Sequence, residues 1–220
     1  MTECTQSQFQ FAPHFSREVV ARFDGGQMTT DAGGLLLRET DLRLNLLNRF
    51  AECFIDRRNP TLIRHSVREL VAQRVYGLAL GYEDLNDHEQ LRHDPMLRLL
   101  AGKQHLDEEP LAGKSTLNRM ELNDAAASRY SKITYWRDAI DELLVEIFVE
   151  AHATAPEEIV IDVDTTDVEL HGSQEGRFFH GYYDEYCYLP LYIFCGEHLL
   201  GVRLREANQD AAAGSLREIE

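Results

Sequence analysis

Three carboxylates fall within six residues at the end of an apolar run, Ile159-Val160-Ile161-Asp162-Val163-Asp164-Thr165-Thr166-Asp167. On an extended strand, side chains alternate faces, so Ile159, Ile161 and Val163 point one way while Val160, Asp162 and Asp164 point the other. The first set can anchor a core, and the second presents two carboxylates side by side. Such carboxylates repel each other unless a cation or a basic partner sits between them. Hard divalent cations such as magnesium take one or two protein carboxylates and complete their shell from water or phosphate. The strand end is therefore a candidate metal site for phosphate chemistry. Asp and Thr after a strand also form turns and caps through side chain to backbone hydrogen bonds, and this segment alone leaves both readings open.

The surrounding chain sets limits on that chemistry. Its 220 residues suffice for one large domain or two small ones with a proper core, and its 44% hydrophobic and 27% charged content is that of a soluble globular protein. No apolar run approaches the ~20 residues of a membrane span, and the polar start MTECTQSQFQ is no signal peptide, so a cytoplasmic protein without a membrane partner is expected. Cys4, Cys53, Cys187 and Cys195 are scattered with no CxxC pair, which points to reduced thiols and away from structural zinc.

Charge is distributed unevenly. The net charge is −16, and residues 151–220 hold 14 acidic against 4 basic side chains. Residues 38–74 hold 8 arginines against 5 acids. Phosphate responds to the local field, so Arg57, Arg58, Arg64, Arg68 and Arg74 are candidate DNA contacts within an acidic whole. A solvated helix face explains the same arginines equally simply.

The elements that must position these groups follow from periodicity and punctuation. A short hairpin is expected around Gly25-Gly26, and an arm over residues 1–34. Leu35, Leu36, Leu42, Leu46, Leu47, Phe50 and Phe54 predict a helix running up to Asn59-Pro60, with Thr30 or Asp31 as its cap. Leu62, Val67, Leu70, Val71, Val75 and Leu78 predict a second amphipathic helix ending near Gly81. Shorter helices are expected at 84–92, 95–101 and 115–123, and the longest at 125–151, with Ile133, Trp136, Leu143 and Phe148 on its buried stripe. Residues 35–155 thus form a helical region.

After Pro156 the period becomes that of strands: Glu158–Asp164, Tyr186–Cys195 and Leu199–Arg205, followed by a helix running into Glu220. The glycine-rich segment 170–185 between the first two carries His171, Gln174, Arg177 and His180, either as contacts to DNA or as a solvated hairpin tip. Tyr186, Tyr188 and Tyr192 are expected to pack in the core of the sheet rather than to stack on bases. The fold class is α+β: a helical N-terminal region, then three antiparallel strands and the start of a helix.

Beyond these patterns, long stretches of text resemble a known family. RFDGGQMTTDAGGLLLRETD, QRVYGLALGYEDLNDHEQLRHDPMLRLLAG, LAGKSTLNRME and IDVDTTDVELHGSQEGRFFHGYYDEYCYLPLYIFCGEHLLGVRLREANQDAAAG are similar to the DDE transposases of bacterial insertion sequences, in the group called transposase DDE domain group 1. The resemblance implies a ribonuclease-H-like catalytic domain over 156–220 and a DNA-binding region before it. It also implies two divalent ions, Mg2+ or Mn2+, held by an Asp, a second Asp and a Glu. Asp164, followed by Thr165-Thr166, matches the first acid, with Asp162 as the alternative catalytic residue and metal ligand. Implied partners are DNA, at terminal inverted repeats and target, and a second copy in a homodimer associated with the nucleoid.

The second acid belongs on a further strand with text like R-A-D-S-G-F, and neither it nor the Glu has a match within residues 1–220. The chain is therefore expected to be the N-terminal part of a transposase, catalytically incomplete by itself. The alternative is a non-catalytic DNA-binding or dimerising fragment.

Overall fold

A computed structural model describes residues 8–22, 28–105, 108–121 and 132–219, and the chain divides into two units, Met1–Tyr135 and Trp136–Glu220. Both helices and antiparallel strands are present, so the architecture is mixed α and β. Among the described residues, no helix is long and apolar enough to cross a membrane.

The first unit opens with a hairpin of β1 (Gln8–His14) and β2 (Arg17–Arg22). The hairpin expected around Gly25-Gly26 lies outside the described residues at its turn, and β2 pairs backwards with β1 instead. Two helices follow, α1 (Gly34–Leu44) and α2 (Leu46–Glu52), where periodicity predicts one. The break is at Asn45, whose φ of 53° is left-handed, a conformation that Asn tolerates better than most residues. Asp41 secures the break: its carbonyl accepts from the Asn45 amide at 2.7 Å and its carboxylate from the Leu47 amide at 2.8 Å. The expected cap Asp31 instead accepts from the Tyr82 hydroxyl at 3.0 Å. The chain then leaves helix for β3 (Phe54–Asp56), which pairs with β4 (Ile133–Tyr135).

Ser66 caps α3 (Val67–Ala79), accepting from the Glu69 amide at 3.1 Å. The helices α4 (His88–Leu91), α5 (Pro95–Leu100) and α6 (Lys114–Glu121) pack around it. Leu47, Leu70, Val71, Leu97, Leu111, Leu117 and Ile133 form the core. A polar clamp runs through that core. Gln73 grips the backbone of Ala112 from both sides, donating to its carbonyl at 2.8 Å and accepting from its amide at 3.0 Å. The same Gln73 nitrogen lies 3.1 Å from Nδ1 of the fully buried His88. Because that nitrogen can only donate, Nδ1 accepts and Nε2 carries the imidazole proton.

The second unit begins with α7 (Arg137–Glu150), shorter than the predicted helix from 125. Residues 133–135 are strand because β3 supplies an edge for Ile133-Thr134-Tyr135, a β-branched and aromatic run that favours pleated structure. Trp136, expected on the buried stripe, is exposed, whereas Leu143 and Phe148 are buried. The strands are β5 (Asp162–Thr165), β6 (Val168–Glu169), β7 (Phe178–His180), β8 (Glu185–Tyr188), β9 (Leu191–Cys195) and β10 (His198–Arg203). One antiparallel sheet has the order β10-β9-β5 and a second the order β6-β8-β7. The single strand expected over 186–195 is broken in two at Leu189-Pro190, since proline has no amide to continue a ladder. The short α8 (Ser215–Ile219) follows.

Arg203 joins three of these elements. It donates to both carboxylate oxygens of Asp141 in α7, at 2.9 and 2.6 Å, and also to Glu218 in α8, which takes a second bond from Arg137 at 2.7 Å. Burial by itself would raise the Glu218 pKa, but Arg203 and Arg137 together hold it below the usual range.

Three measurements check this account. Gly77→Ala places a Cβ 2.9 Å from the His88 ring, a rigid neighbour. The usual helical gain of ~1 kcal/mol from replacing glycine reverses to a loss of roughly 1–3 kcal/mol, read by denaturant unfolding. Burial first, and the Arg74 charge second, push the His88 pKa down. The folded chain then stays neutral where the unfolded chain takes up a proton, so stability is complete above a pH of about 6.5 and falls as pH drops below it. His88→Gln is expected to flatten that part of the thermal-stability profile. Arg203→Met strands two carboxylates and is expected to cost about 2–4 kcal/mol in the second unit, seen as a lower urea midpoint.

Candidate active site

The antiparallel ribbon formed by residues 162–169 and 185–195 bends where Thr166 and Asp167 face Leu189 and Pro190. On the near side Asp164 pairs with Tyr192 and Thr165 with Leu191, and on the far side Val168 pairs with Tyr188. The Thr166 amide still reaches the Pro190 carbonyl at 3.4 Å. Asp164 therefore stands at the next-to-last position of β5, just before the chain crosses from one sheet to the other.

Alternation gives that sheet two chemically different faces. Val163, Leu191, Ile193, Gly201 and Arg203 share the side on which Arg203 reaches Asp141 of α7, and Leu191, Ile193 and Gly201 are buried. Asp162 and Asp164 share the opposite side with Tyr192, Phe194 and Val202. Both carboxylates are exposed, whereas Tyr192 and Phe194 are half-buried with rings stacked 6.1 Å apart. The first acids of the strand thus stand beside an aromatic floor and face away from the core, as the strand periodicity predicts.

Asp164 Oδ1 accepts from the Thr165 amide at 2.8 Å. This is turn chemistry, and it orients the carboxylate without consuming its second oxygen. Neither Asp162 nor Asp164 has an ion pair among the described residues. Other acids crowd the bend. The Glu185 carboxyl is pushed up, first by hydrogen bonding with Asp167 and then by burial and the nearby Glu169. Tyr183 is also pushed up, first by burial and then by the charge of Asp167, with a smaller effect of Asp164.

Arg205, which strand periodicity did not single out, holds the site together. It donates to the carbonyls of Leu189 at 2.9 Å, Ala213 at 2.6 Å and Ala211 at 3.0 Å, and to the Thr165 hydroxyl at 3.1 Å. Thr165 in turn donates to the Ala211 carbonyl at 3.0 Å. Burial pushes the Arg205 pKa down, the mark of a cation drawn into the protein. No side-chain signal in the sequence marks it, because three of its four acceptors are backbone carbonyls.

The remaining candidates separate into spent and unspent groups. Arg68 bonds Asn48, Asp41 and the Ala101 carbonyl, and Arg74 bonds Glu121 and the carbonyls of Tyr82 and Glu83. Arg58 is paired in bidentate fashion with Asp56, whose pKa it lowers, while the Arg57 amide bonds the Lys132 carbonyl. Arg64 has no ion pair among the described residues. In the second unit, His171 lies 3.4 Å from Glu169, Gln174 lies against Gly172, and Arg177 bonds the Gly172 carbonyl with its guanidinium 4.7 Å from the Tyr186 ring centre. Tyr186, expected in the core, is half exposed because Cys187 takes the inward position of that strand.

As oxygen donors, Asp164 and Asp162 suit a hard divalent ion that keeps water or phosphate in its shell. Among the described residues, no group of three or more His, Cys, Asp or Glu side chains is assembled for a metal ion. The pair therefore fits as one or two ligands and not as a complete cage.

The family model described as transposase DDE domain group 1 matches residues 11–220. No curated protein and no solved structure matches the chain. With the bend, its acids and nearly the whole sequence inside that match, this chain belongs to the transposase DDE domain group 1 family.

Proposed function

We propose that the chain is a DNA transposase in which Asp164 is the first metal-binding acid of a ribonuclease-H-like centre, acting on the terminal inverted repeats of an insertion sequence. The observation that carries this reading is the placement of Asp164, exposed at the end of β5 with one oxygen oriented by the Thr165 amide and no ion pair among the described residues. A divalent ion, Mg2+ or Mn2+, supplies activation of water or a DNA 3′-hydroxyl and neutralises charge on the leaving oxygen. Asp164, with Asp162 on the same face, contributes carboxylate oxygens to such an ion. Thr165 and Arg205 keep the strand end from fraying, so the carboxylate meets the scissile phosphate in one orientation.

The ribonuclease-H-like reading draws support from the three antiparallel strands and from the open edge of β5. That strand pairs only with β9 among the described residues, and Ile159, Val160 and Ile161 just before it are all exposed apolar side chains. An edge of this kind favours pairing with a further strand. Asp164 and Asp162 by themselves offer one or two carboxylate ligands, so this pair is expected to hold a divalent ion weakly.

Manganese paramagnetic resonance on the purified chain tests the assignment. Wild-type protein is expected to bind Mn2+ weakly, and Asp164→Asn to lose most of that binding with no change in melting temperature. Equal binding by the two proteins would remove Asp164 from the metal site. In parallel, incubation with Mg2+ or Mn2+ and a DNA end is expected to give neither cleavage nor joining; activity abolished by Asp164→Ala would show the segment to be catalytically sufficient.

A further inference from the structure

In the first unit a concave groove of about 720 Å³ is lined by Arg58, Arg64, His65, Arg92, Arg119 and Lys132. These cations come from four separate stretches: the loop between β3 and α3, the end of α4, α6, and the residue before β4. Only one carboxylate, Glu89, lies among them, and it is already used to accept from the Lys114 amide at 2.9 Å. Arg58 is met by Asp56, but Arg64, Arg92 and Lys132 add three permanent charges against the one of Glu89, so the concavity keeps a positive surplus that favours an anion.

The groove differs from an ordinary solvated arginine face in three respects. It is concave, whereas a helix face is convex. Arg68 and Arg74, which bind internal carboxylates and carbonyls, do not line it, and of its cations Arg58 is held by Asp56. Arg92 also carries a buried Nε with no hydrogen-bond partner among the described residues, and Gly113 leaves open the space beside its guanidinium, where a Cβ would lie 3.0 Å from Nη1. A buried guanidinium nitrogen is rarely left without an acceptor.

The lining also indicates what kind of anion fits. Small-molecule pockets of this volume are mostly apolar and aromatic. Here Leu62 and Ile133 are the apolar side chains and no Phe, Tyr or Trp ring is present, so the groove has no broad stacking platform for bases. What remains are point charges, the Ser115 and Thr116 hydroxyls and the positive end of α6, all of which suit phosphate.

We infer that this groove is a docking site for the phosphodiester backbone of duplex DNA, which holds the polymer through its phosphates and does not read its bases. The choice of DNA as the polyanion rests on the transposase reading, while the groove itself rests on the cations named above.

Binding of the full chain to a short labelled duplex, followed by anisotropy across about 50–200 mM salt, tests the inference. Arg64→Gln combined with Lys132→Gln removes two exposed charges without disturbing the core. This pair is expected to weaken binding about equally for all sequences and to lower the salt slope by about 1.8, two phosphate contacts' worth. Arg43→Gln combined with Arg217→Gln makes the same charge change outside the groove and is expected to leave the slope unchanged. An unchanged slope in the groove variant, an equal loss in the control, or a loss confined to one sequence overturns the inference. Saturation by inorganic phosphate with no duplex binding also overturns it, in favour of a monoanion site. Groove-dependent duplex binding with no Asp164-dependent Mn2+ binding would remove the catalytic reading and leave the groove standing.

Discussion

One guanidinium fixes the geometry on which the candidate site depends. Arg205 donates to three backbone carbonyls and one hydroxyl, and these acceptors belong to the bend at Leu189, to β5 at Thr165 and to the segment leading into α8 at Ala211 and Ala213. The Leu189 carbonyl lies where Pro190 interrupts the pairing, and the Ala211 carbonyl takes a second bond from the Thr165 hydroxyl. Arginine suits this task better than lysine, since its planar fork satisfies several acceptors in fixed directions. Asp164 is held in place by these neighbours through strand register and one amide, so its own charge need not be spent on structure.

Charge is partitioned along the chain by what each group must do. Arg203 meets Asp141 and Glu218 and ties α7, β10 and α8 together, and Arg68 and Arg74 perform the same service in the first unit. Removing any of these leaves a partner stranded, which makes them structural in the strict sense that their loss is felt as instability. The groove cations are different. Arg64 and Lys132 are exposed, and the strongly negative total conceals a local positive surface of the kind that responds to polymeric phosphate.

How much of this was legible beforehand depended on how local the determining physics was. The acidic face of β5 was legible, because a period of two follows from backbone geometry and needs no tertiary information. The third helix was legible from its stripe, as was the Ser115 region as a helix start. The break at Asn45 was not, since an αL residue is a conformational choice that the Leu and Phe spacing on either side does not record. Residues 133–135 were misread as helix because Ile, Trp and Phe at helical spacing continue the α7 pattern, while the partner that makes them strand, Phe54–Asp56, is far away in sequence. The division of Tyr186–Cys195 was marked in the text by Pro190, a residue that cannot sit in a central strand. Arg205 lay hidden for another reason: its partners are carbonyls, which carry no side-chain signature.

The carboxylates of the second unit divide into those that meet a basic side chain and those that do not. Asp141 and Glu218 are neutralised by arginines, so both have met their electrostatic cost within the fold. Glu169 sits beside His171. Asp162 and Asp164 have no such arrangement among the described residues, yet they occupy adjacent positions on one face of a strand and repel each other there. A chain selected for stability alone would gain by replacing one of them with threonine or valine, which favour a half-buried strand and remove the repulsion. In the proposed metal site a cation and a phosphate would complete the charge balance, as hard divalent ions do with one or two carboxylates.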